Sequence, residues 1–250
     1  AGAFFAIYGS DLGGSWIVGV LLAILAGAAF AAVHAVATIT FHADQIISGT
    51  AIILIAAGLI NFLNLNLFGP QGAPPDISVP PKLPTGIFGD VSILVLFAAI
   101  AVVVSTYVIF RTPFGLRLRS VGEHPRAADT VGIKVNSLRW RNVLVGGAMA
   151  GMGGAVFTVG MGLAFSKNMV AGNGFIALAA MILGGWRPLG AAAAALLFGF
   201  ATNLGFILQT VNAPIPTEVV LMIPYLVTIL AVGGFVKSAI APAAVGKPYP

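Results

Sequence analysis

The sequence predicts an all-α, polytopic transmembrane helix bundle of about seven spans, the first of them incomplete. Of its 250 residues, 59% are hydrophobic and only 8% are charged, and the mean hydropathy is +1.04. A typical soluble domain is about 25% charged, so this composition excludes a soluble enzyme, a secreted disulfide scaffold and a disordered tail. In addition, apolar segments of about 20 residues, the length that crosses a bilayer, recur along the chain.

The spans follow from the interruptions between apolar segments. Ala1–Tyr8 is too short to cross a bilayer and is interpreted as the end of a span whose beginning is missing, and Gly9–Ser15 is predicted as a turn. Phe41–Asp44 is a short polar break. Complete spans are predicted over Trp16–Ile39, Gln45–Phe68, Val91–Phe110, Asn142–Phe165, Leu189–Gln209 and Glu218–Phe235.

One apolar segment, Gly174–Trp186, is short for a span. It reaches only roughly 20 Å at about 1.5 Å per residue, against a hydrocarbon core of ~30 Å. Three interpretations stay open: a tilted helix extended into Met169–Asn173, a broken segment that lines a cavity, or a short buried helix.

Small residues recur at a spacing of four in three of the predicted spans. This spacing places them on one helix face and lets helix backbones approach closely in lipid, so it predicts close packing within a bundle. The lines are Ala23, Gly27 and Ala31; Gly147 and Gly151; and Ala191, Ala195 and Gly199.

The charge is concentrated in the loop 111–141, which holds seven of the twelve basic residues and carries the whole formal charge of +5. A basic loop embedded among apolar spans argues against nucleic-acid binding and predicts a cytoplasmic loop. If successive spans cross the membrane in alternating directions from this loop, the Pro-rich segment 69–90 is external and the C-terminus is cytoplasmic. Ten of the twelve Lys and Arg residues then lie inside.

The same loop has the signals of a separate short helix. Pro113 is expected to stop the preceding helix in a turn over Thr112–Gly115, and Pro125 suits the first turn of a new helix. Gly132 fits the position just after its end, and Ser137 fits the N-cap of the next span. A surface helix of about two turns with a small face predicts docking into a groove of another protein; the alternative is a basic anchor near anionic headgroups.

A family resemblance rests on these residues. The pattern Glu-x-Pro-x-Ala-Ala-x-x-x-Gly-Ile, residues 123–133, resembles the ATPase-docking coupling helix of ABC importer permeases. The string 112–123 resembles permeases of the branched-chain amino acid, ribose and nucleoside group. The strings 43–52 and 172–191 are similar to nucleoside and simple-sugar permeases that work with a basic-membrane-lipoprotein type binding protein. The similarity runs from about Ala1 to Val236.

The resemblance implies a single permease domain over 1–250 that lacks its N-terminal spans, in a bacterial cell (inner) membrane. It implies as partners an ATP-binding cassette subunit, a second identical or homologous permease subunit and an extracytoplasmic solute-binding lipoprotein. ATP and Mg would sit on the partner ATPase, with no cofactor on this chain. Residues that would dock on the ATPase are Glu123, Pro125, Ala127, Ala128, Gly132 and Ile133. Ile53 departs from the family, because a polar Asn is expected at that position.

The residues agree with a non-catalytic transport subunit. No Gly-x-x-x-x-Gly-Lys-Ser/Thr motif occurs, and no charged residue lies at the centre of a predicted span, which disfavours ion-coupled transport. With no cysteine and three histidines that lack a second ligand at helical spacing, we expect neither a metal site nor catalytic residues. A membrane-embedded enzyme would also lack a plausible nucleophile and base.

The predicted function is therefore a permease subunit of an ATP-driven importer for a nucleoside or simple sugar, which converts ATPase motion into alternating access. A branched-chain amino acid permease and a stand-alone secondary carrier or channel are the alternatives. Intramembrane amides are the candidates for a polar translocation pathway, namely Asn61, Asn203 and Gln209. The competing interpretation of each amide is a hydrogen bond between helices.

Overall fold

The computed structural model describes residues 1–69, 78–84, 90–210 and 240–249, together with Met222 and Leu226. The predicted span Glu218–Phe235 and most of the segment 69–90 lie outside these residues. The described helices are α1 (Gly2–Gly13), α2 (Trp16–Ala35, continued by a π-helical turn over Val36–Thr40), α3 (Gln45–Phe68), α4 (Ile93–Arg111), α5 (Pro113–Glu123), α6 (Pro125–Thr130), α7 (Val135–Ala155, continued by a π-helical turn over Val156–Gly160), α8 (Asn173–Leu183) and α9 (Pro188–Thr210). Two short strands, β1 (Lys82–Pro84) and β2 (Asp90–Ser92), pair antiparallel.

The prediction of an all-α polytopic membrane bundle is confirmed. Within the described residues, five helical stretches are long and apolar enough to cross a membrane, and each overlaps a predicted span. The poorest agreement is for the predicted span Asn142–Phe165, because the helical stretch begins at Val135, within the predicted charged loop, and ends at Gly160. They are Trp16–Thr40, Gln45–Phe68, Ile93–Arg111, Val135–Gly160 and Pro188–Gly205. Helix α8 is only 11 residues long, and the residues 169–172 before it form turns, so a longer helix that extends into Met169–Asn173 is not present.

Three local predictions near helix ends are wrong. The predicted turn over Gly9–Ser15 is helical as far as Gly13, because the buried face of α1, which includes Ala6 and Ser10, packs against α2. The turn over Thr112–Gly115 is instead the start of α5. Pro113 does end α4, but it also opens α5, since a first-turn residue needs no amide hydrogen.

The third error concerns Ser137, which does not cap α7. The helix begins two residues earlier, at Val135, and Lys134 at its N-cap makes no side-chain capping hydrogen bond. Val135 and Leu138 are buried on this first turn, so tertiary packing fixes the start of the helix rather than a serine cap.

The described chain divides into two compact units. Unit 1 comprises Ala1–Ala99, Ser120–Ala171 and Ala244–Pro250, and unit 2 comprises Ile100–Arg119 and Gly172–Ala243. The core of unit 1 gathers side chains of α1, α2, α4 and α7, with its π-helical extension: Ala6, Val20, Ala23, Leu94, Ala155 and Val159. In unit 2, α8 packs on α9 through Ala180, Ala194 and Phe198.

Close contact between α2 and α7 dominates unit 1 and confirms the packing predicted for two of the three lines of small residues. In the third line, Ala195 and Gly199 are exposed among the described residues, so close packing is not confirmed there. The line of Ala23, Gly27 and Ala31 faces Gly147 and Gly151. A Cβ built on Gly27 would collide with the carbonyl oxygen of Gly147, and one built on Gly151 would collide with the carbonyl oxygen of Ala23. The two backbones therefore touch at a distance that only glycine allows at these positions.

Candidate functional site

The loop between α4 and α7 carries the segment that the sequence assigns to ATPase docking. Its helix, α6, has Pro125 as its first residue, as the sequence predicts. After the helix, Gly132 adopts a left-handed φ of 84°. The Gly132 amide donates to Asp129 O at 2.8 Å, and the Ile133 amide donates to Ala128 O at 3.1 Å. These bonds satisfy carbonyls at the end of α6, so the predicted glycine stop is confirmed.

The two adjacent alanines of α6 differ in solvent exposure. Ala128 is 3% exposed and packs within the chain, whereas Ala127 is exposed. Glu123 and Gly132 are also exposed, and Pro125 and Ile133 are half-buried. Of the adjacent alanines, Ala127 is thus the one that a partner protein could contact.

Val131 belongs to the same surface, and sequence reasoning missed it. It follows Ala127 by four residues, and 75% of its side chain is exposed. Val131 is the C-cap residue directly after α6, and its spacing of four from Ala127 was the available signal. Ala127 and Val131 give the segment a small exposed apolar patch.

Unit 2 holds a cavity of about 380 Å³ between α8 and α9. Its lining residues are Asn173, Ile176, Ala177, Ala180, Ala195, Phe198, Gly199, Thr202 and Asn203. The predicted pathway residue Asn203 is among them and is exposed. Thr202 Oγ1 donates to Phe198 O at 2.9 Å, which leaves the hydroxyl oxygen able to accept a hydrogen bond. Of the interpretations of Gly174–Trp186, the structure favours a short segment that lines a cavity.

A second cavity, of about 530 Å³, lies within unit 1. Its wall includes residues of α2, α3 and α7, among them Ile53, the position at which the chain departs from the family. His34 Nδ1 lies 3.0 Å from Ser48 Oγ at this cavity, and the two side chains are hydrogen-bonded. His34 is the one titratable side chain of the predicted span Trp16–Ile39, and this could have identified it from the sequence as a candidate cavity residue.

Asn61 and Gln209 are the other predicted pathway residues. Asn61 is half-buried on α3 in unit 1 and is not among the residues that line the cavity there. Its neighbour Asn64 has a buried side-chain oxygen without a hydrogen-bond partner among the described residues. The backbone of Gln209 lies in α9, but its side chain lies outside the described residues.

Comparisons with known proteins find transport permeases that are similar to this chain. Residues 1–232 match the family described as "branched-chain amino acid transport system / permease component". The chain is 41% identical to the guanosine ABC transporter permease protein NupQ of Bacillus subtilis, over 98% of this chain and 82% of the relative. It is 41% identical to the nucleoside ABC transporter permease protein NupC of Lactococcus lactis, over 92% and 76%.

A more distant relative extends the range of named solutes. The putative glucose ABC transporter permease protein TsgC13 of Haloferax volcanii is 31% identical over 76% of this chain and 61% of its own length. No solved structure matches the chain.

Proposed function

The chain belongs to the permease family typified by branched-chain amino acid transport systems, and we propose that it is the permease subunit of an ATP-driven nucleoside importer. Permeases of this family are non-catalytic, multi-pass membrane subunits. The observation that carries the choice of solute is the 41% identity, over nearly the whole chain, to a permease named for guanosine. A simple sugar is the second candidate, supported by the similarity to a putative glucose permease.

The chemistry of the unit 2 cavity supports a neutral solute. Among the described residues, none of the nine that line it is charged, while Asn173, Thr202 and Asn203 carry amide or hydroxyl groups. Ile176 and Phe198 add apolar walls. A few convergent polar groups on an apolar wall suit a nucleoside, which has ribose hydroxyls and a flat base. A branched-chain amino acid is a zwitterion, and its two charges would lose hydration without gaining an ionic partner among these residues.

ATP-driven transport by this chain requires a separate ATPase subunit. In the proposal, a partner ATPase holds ATP and Mg and contacts the docking segment, residues 123–133, through the patch of Ala127 and Val131. A second permease subunit completes the membrane pathway, and an extracytoplasmic lipoprotein delivers the solute. The chain itself binds no cofactor and converts motion of the docked segment into alternating access.

The proposed orientation places the loop 111–141 and the C-terminus in the cytoplasm. Ten of the twelve basic residues then lie inside, as the positive-inside rule requires. A hydrogen bond of 2.9 Å from the Ala244 amide to Gly122 O supports the same side for the loop and the C-terminal segment. Since the chain has no cysteine, a His124→Cys variant should label only from the cytoplasm and a Ser78→Cys variant only from outside; the reverse would refute this orientation.

The cavity assignment is tested by Asn203→Leu, with uptake of labelled guanosine as the measurement. Loss of one hydrogen bond of about 1 kcal/mol should raise the KM roughly fivefold, while the amount of chain in the membrane stays unchanged. Asn66→Leu is the matched control, because Asn66 is exposed and its amide donates to Phe62 O of its own helix at 2.8 Å. Equal KM values for both variants and the unaltered chain would contradict a role of Asn203 in solute binding.

A further inference from the structure

The segment Ala244–Tyr249, here called the tail segment, is part of unit 1 and lies against the loop that contains α6. Its first residue donates an amide hydrogen bond to Gly122 O at 2.9 Å, in the last turn of α5. A turn follows, in which the Lys247 amide donates to Ala244 O at 3.2 Å and Gly246 has a φ of 73°. The turn directs the rest of the tail segment toward α7.

Arg139, in the second turn of α7, holds the tail segment by two interactions. Its Nη1 donates to Lys247 O at 2.9 Å, and its Cζ lies 5.9 Å from the ring centroid of Tyr249. The second distance is that of a cation–π contact. One guanidinium therefore fixes both the backbone and the aromatic ring of the tail segment.

Tyr249 reaches α6 itself. Its phenol shares a side-chain hydrogen bond with Asp129, near the end of that helix. Desolvation raises the pKa of the Tyr249 phenol, and the hydrogen bond to Asp129 and the charge of its carboxylate raise it further. The phenol is thus protonated at neutral pH and donates to the carboxylate. The carbonyl of Tyr249 in turn accepts a hydrogen bond of 2.8 Å from His42 Nε2, in the break before α3.

These contacts join α6 to its neighbours through a segment distant in sequence. A helix of 6 residues is too short to be stable in water without tertiary contacts. The tail segment contacts the end of α5 at Gly122, α6 at Asp129 and the start of α7 at Arg139. The tail segment therefore contacts the chain just before the docking segment, the docking segment itself and the membrane helix that follows it.

We propose that the tail segment is a positioning element that holds the ATPase-docking segment firmly to α5 and α7. A push on α6 then moves the membrane helix α7 and is not absorbed by bending of the loop. This inference rests on the proposed function, since it assigns Tyr249, Asp129 and Arg139 to the transmission of ATPase motion. The ATPase itself contacts the exposed patch of Ala127 and Val131, not the tail segment.

The test compares Tyr249→Phe, which removes the hydroxyl and keeps the ring, with Tyr249→Ala, which removes both. Tyr107→Phe is the matched control, because Tyr107 is exposed on α4. Each variant is expressed with the full transporter, and three quantities are measured: chain abundance, co-purified ATPase, and guanosine transported per ATP hydrolysed. We expect the first two to stay within about twofold. Guanosine per ATP should fall about fivefold for Tyr249→Phe and about tenfold or more for Tyr249→Ala.

An unchanged ratio of guanosine to ATP in both Tyr249 variants, at normal abundance, would overturn the inference. If Tyr249→Ala lowers the abundance of the chain, Tyr249→Phe decides, because the cation–π contact is kept in that variant. Failure of the unaltered chain to co-purify with the ATPase would overturn the proposed function instead, so the two failures are distinguishable.

Discussion

Two adjacent alanines in α6 have different surroundings and should respond differently to the same substitution. Ala127 is exposed and Ala128 is 3% exposed, although both belong to the motif that resembles a coupling helix. A partner can contact Ala127 and Val131 directly. Ala128 supports this surface from beneath, because it packs the helix against the rest of unit 1.

At Ala127, we expect a glutamate to abolish ATPase binding without harming the chain. Burial of an unpaired carboxylate in an apolar interface costs several kcal/mol, so co-purification of the ATPase with Ala127→Glu should fall at least tenfold. Membrane abundance should not change, because the position is exposed in the free chain. Ala127→Ser, which changes the size little, should retain binding.

Ala128→Glu provides the contrast. Its carboxylate would be buried within the chain, so the abundance of the chain itself should fall. If Ala127→Glu co-purified normally with the ATPase, or if Ala128→Glu alone lost the ATPase at normal abundance, the assignment of the docking face would be wrong.

Residues with a strict backbone requirement could be predicted from the sequence. Pro125 lacks an amide hydrogen and Gly132 needs a left-handed φ, and both requirements are local. The burial of Ala128 and the exposure of Ala127 depend on packing against segments elsewhere in the chain, so sequence did not separate them. The contact of Tyr249 with Asp129 depends on the return of a segment more than a hundred residues later, which no local pattern encodes.

At the scale of elements, the contact between α2 and α7 is the clearest determinant of packing in unit 1. Gly27, Gly147 and Gly151 allow backbone atoms of the two helices to touch. Thr158 Oγ1 adds a buried hydrogen bond of 3.0 Å to Ala3 O, which ties α1 to the same helix pair. In lipid, close packing of this kind takes the place of the hydrophobic effect.

Two glycines of α7 provide a matched pair that tests this contact. In Gly151→Ala the new Cβ collides with the Ala23 carbonyl, and overpacking of this kind typically costs about 1–3 kcal/mol. In Gly153→Ala the Cβ meets nothing within 4 Å, so the change should be neutral or stabilising by up to about 1 kcal/mol from helix propensity. Thermal unfolding in detergent measures both. A lower Tm for Gly153→Ala than for Gly151→Ala would contradict the packing described.

Helix interiors were predictable, and helix ends were less so. The span Gln45–Phe68 was correct at both ends. Asp44 fixes its start by accepting hydrogen bonds from the Ile46 and Ile47 amides at 2.8 and 3.0 Å, and Gly69, with a φ of 73°, follows its end. At Gly9–Ser15, the glycines indicate a turn, but the chain is helical as far as Gly13 because α1 packs against α2. At Thr112–Gly115, the proline indicates a turn, but Pro113 opens α5 because a first-turn residue needs no amide hydrogen. The predicted stop at Pro113 was correct, and the error was to expect no helix after it.

At the scale of the whole molecule, composition and apolar length predicted a polytopic membrane protein, because both depend only on the solvent that the chain faces. The candidate solute cavity could be predicted only in part. Asn203 was identified from its amide and its small neighbours, whereas the contribution of Asn173 and Thr202 depends on how α8 packs on α9. The grouping of spans into two compact units likewise depends on contacts between distant segments.

We conclude that this chain is part of a nucleoside importer that uses the energy of ATP hydrolysed by another subunit. The most direct measurement is accumulation of labelled guanosine in proteoliposomes that contain the full transporter, with the binding protein supplied at the extracytoplasmic face. We predict accumulation that requires ATP on the ATPase side, is unaffected by a proton or sodium gradient, and is not reduced by excess leucine. Guanosine uptake driven by an ion gradient without ATP, or ATP-driven uptake of leucine but not guanosine, would contradict the account.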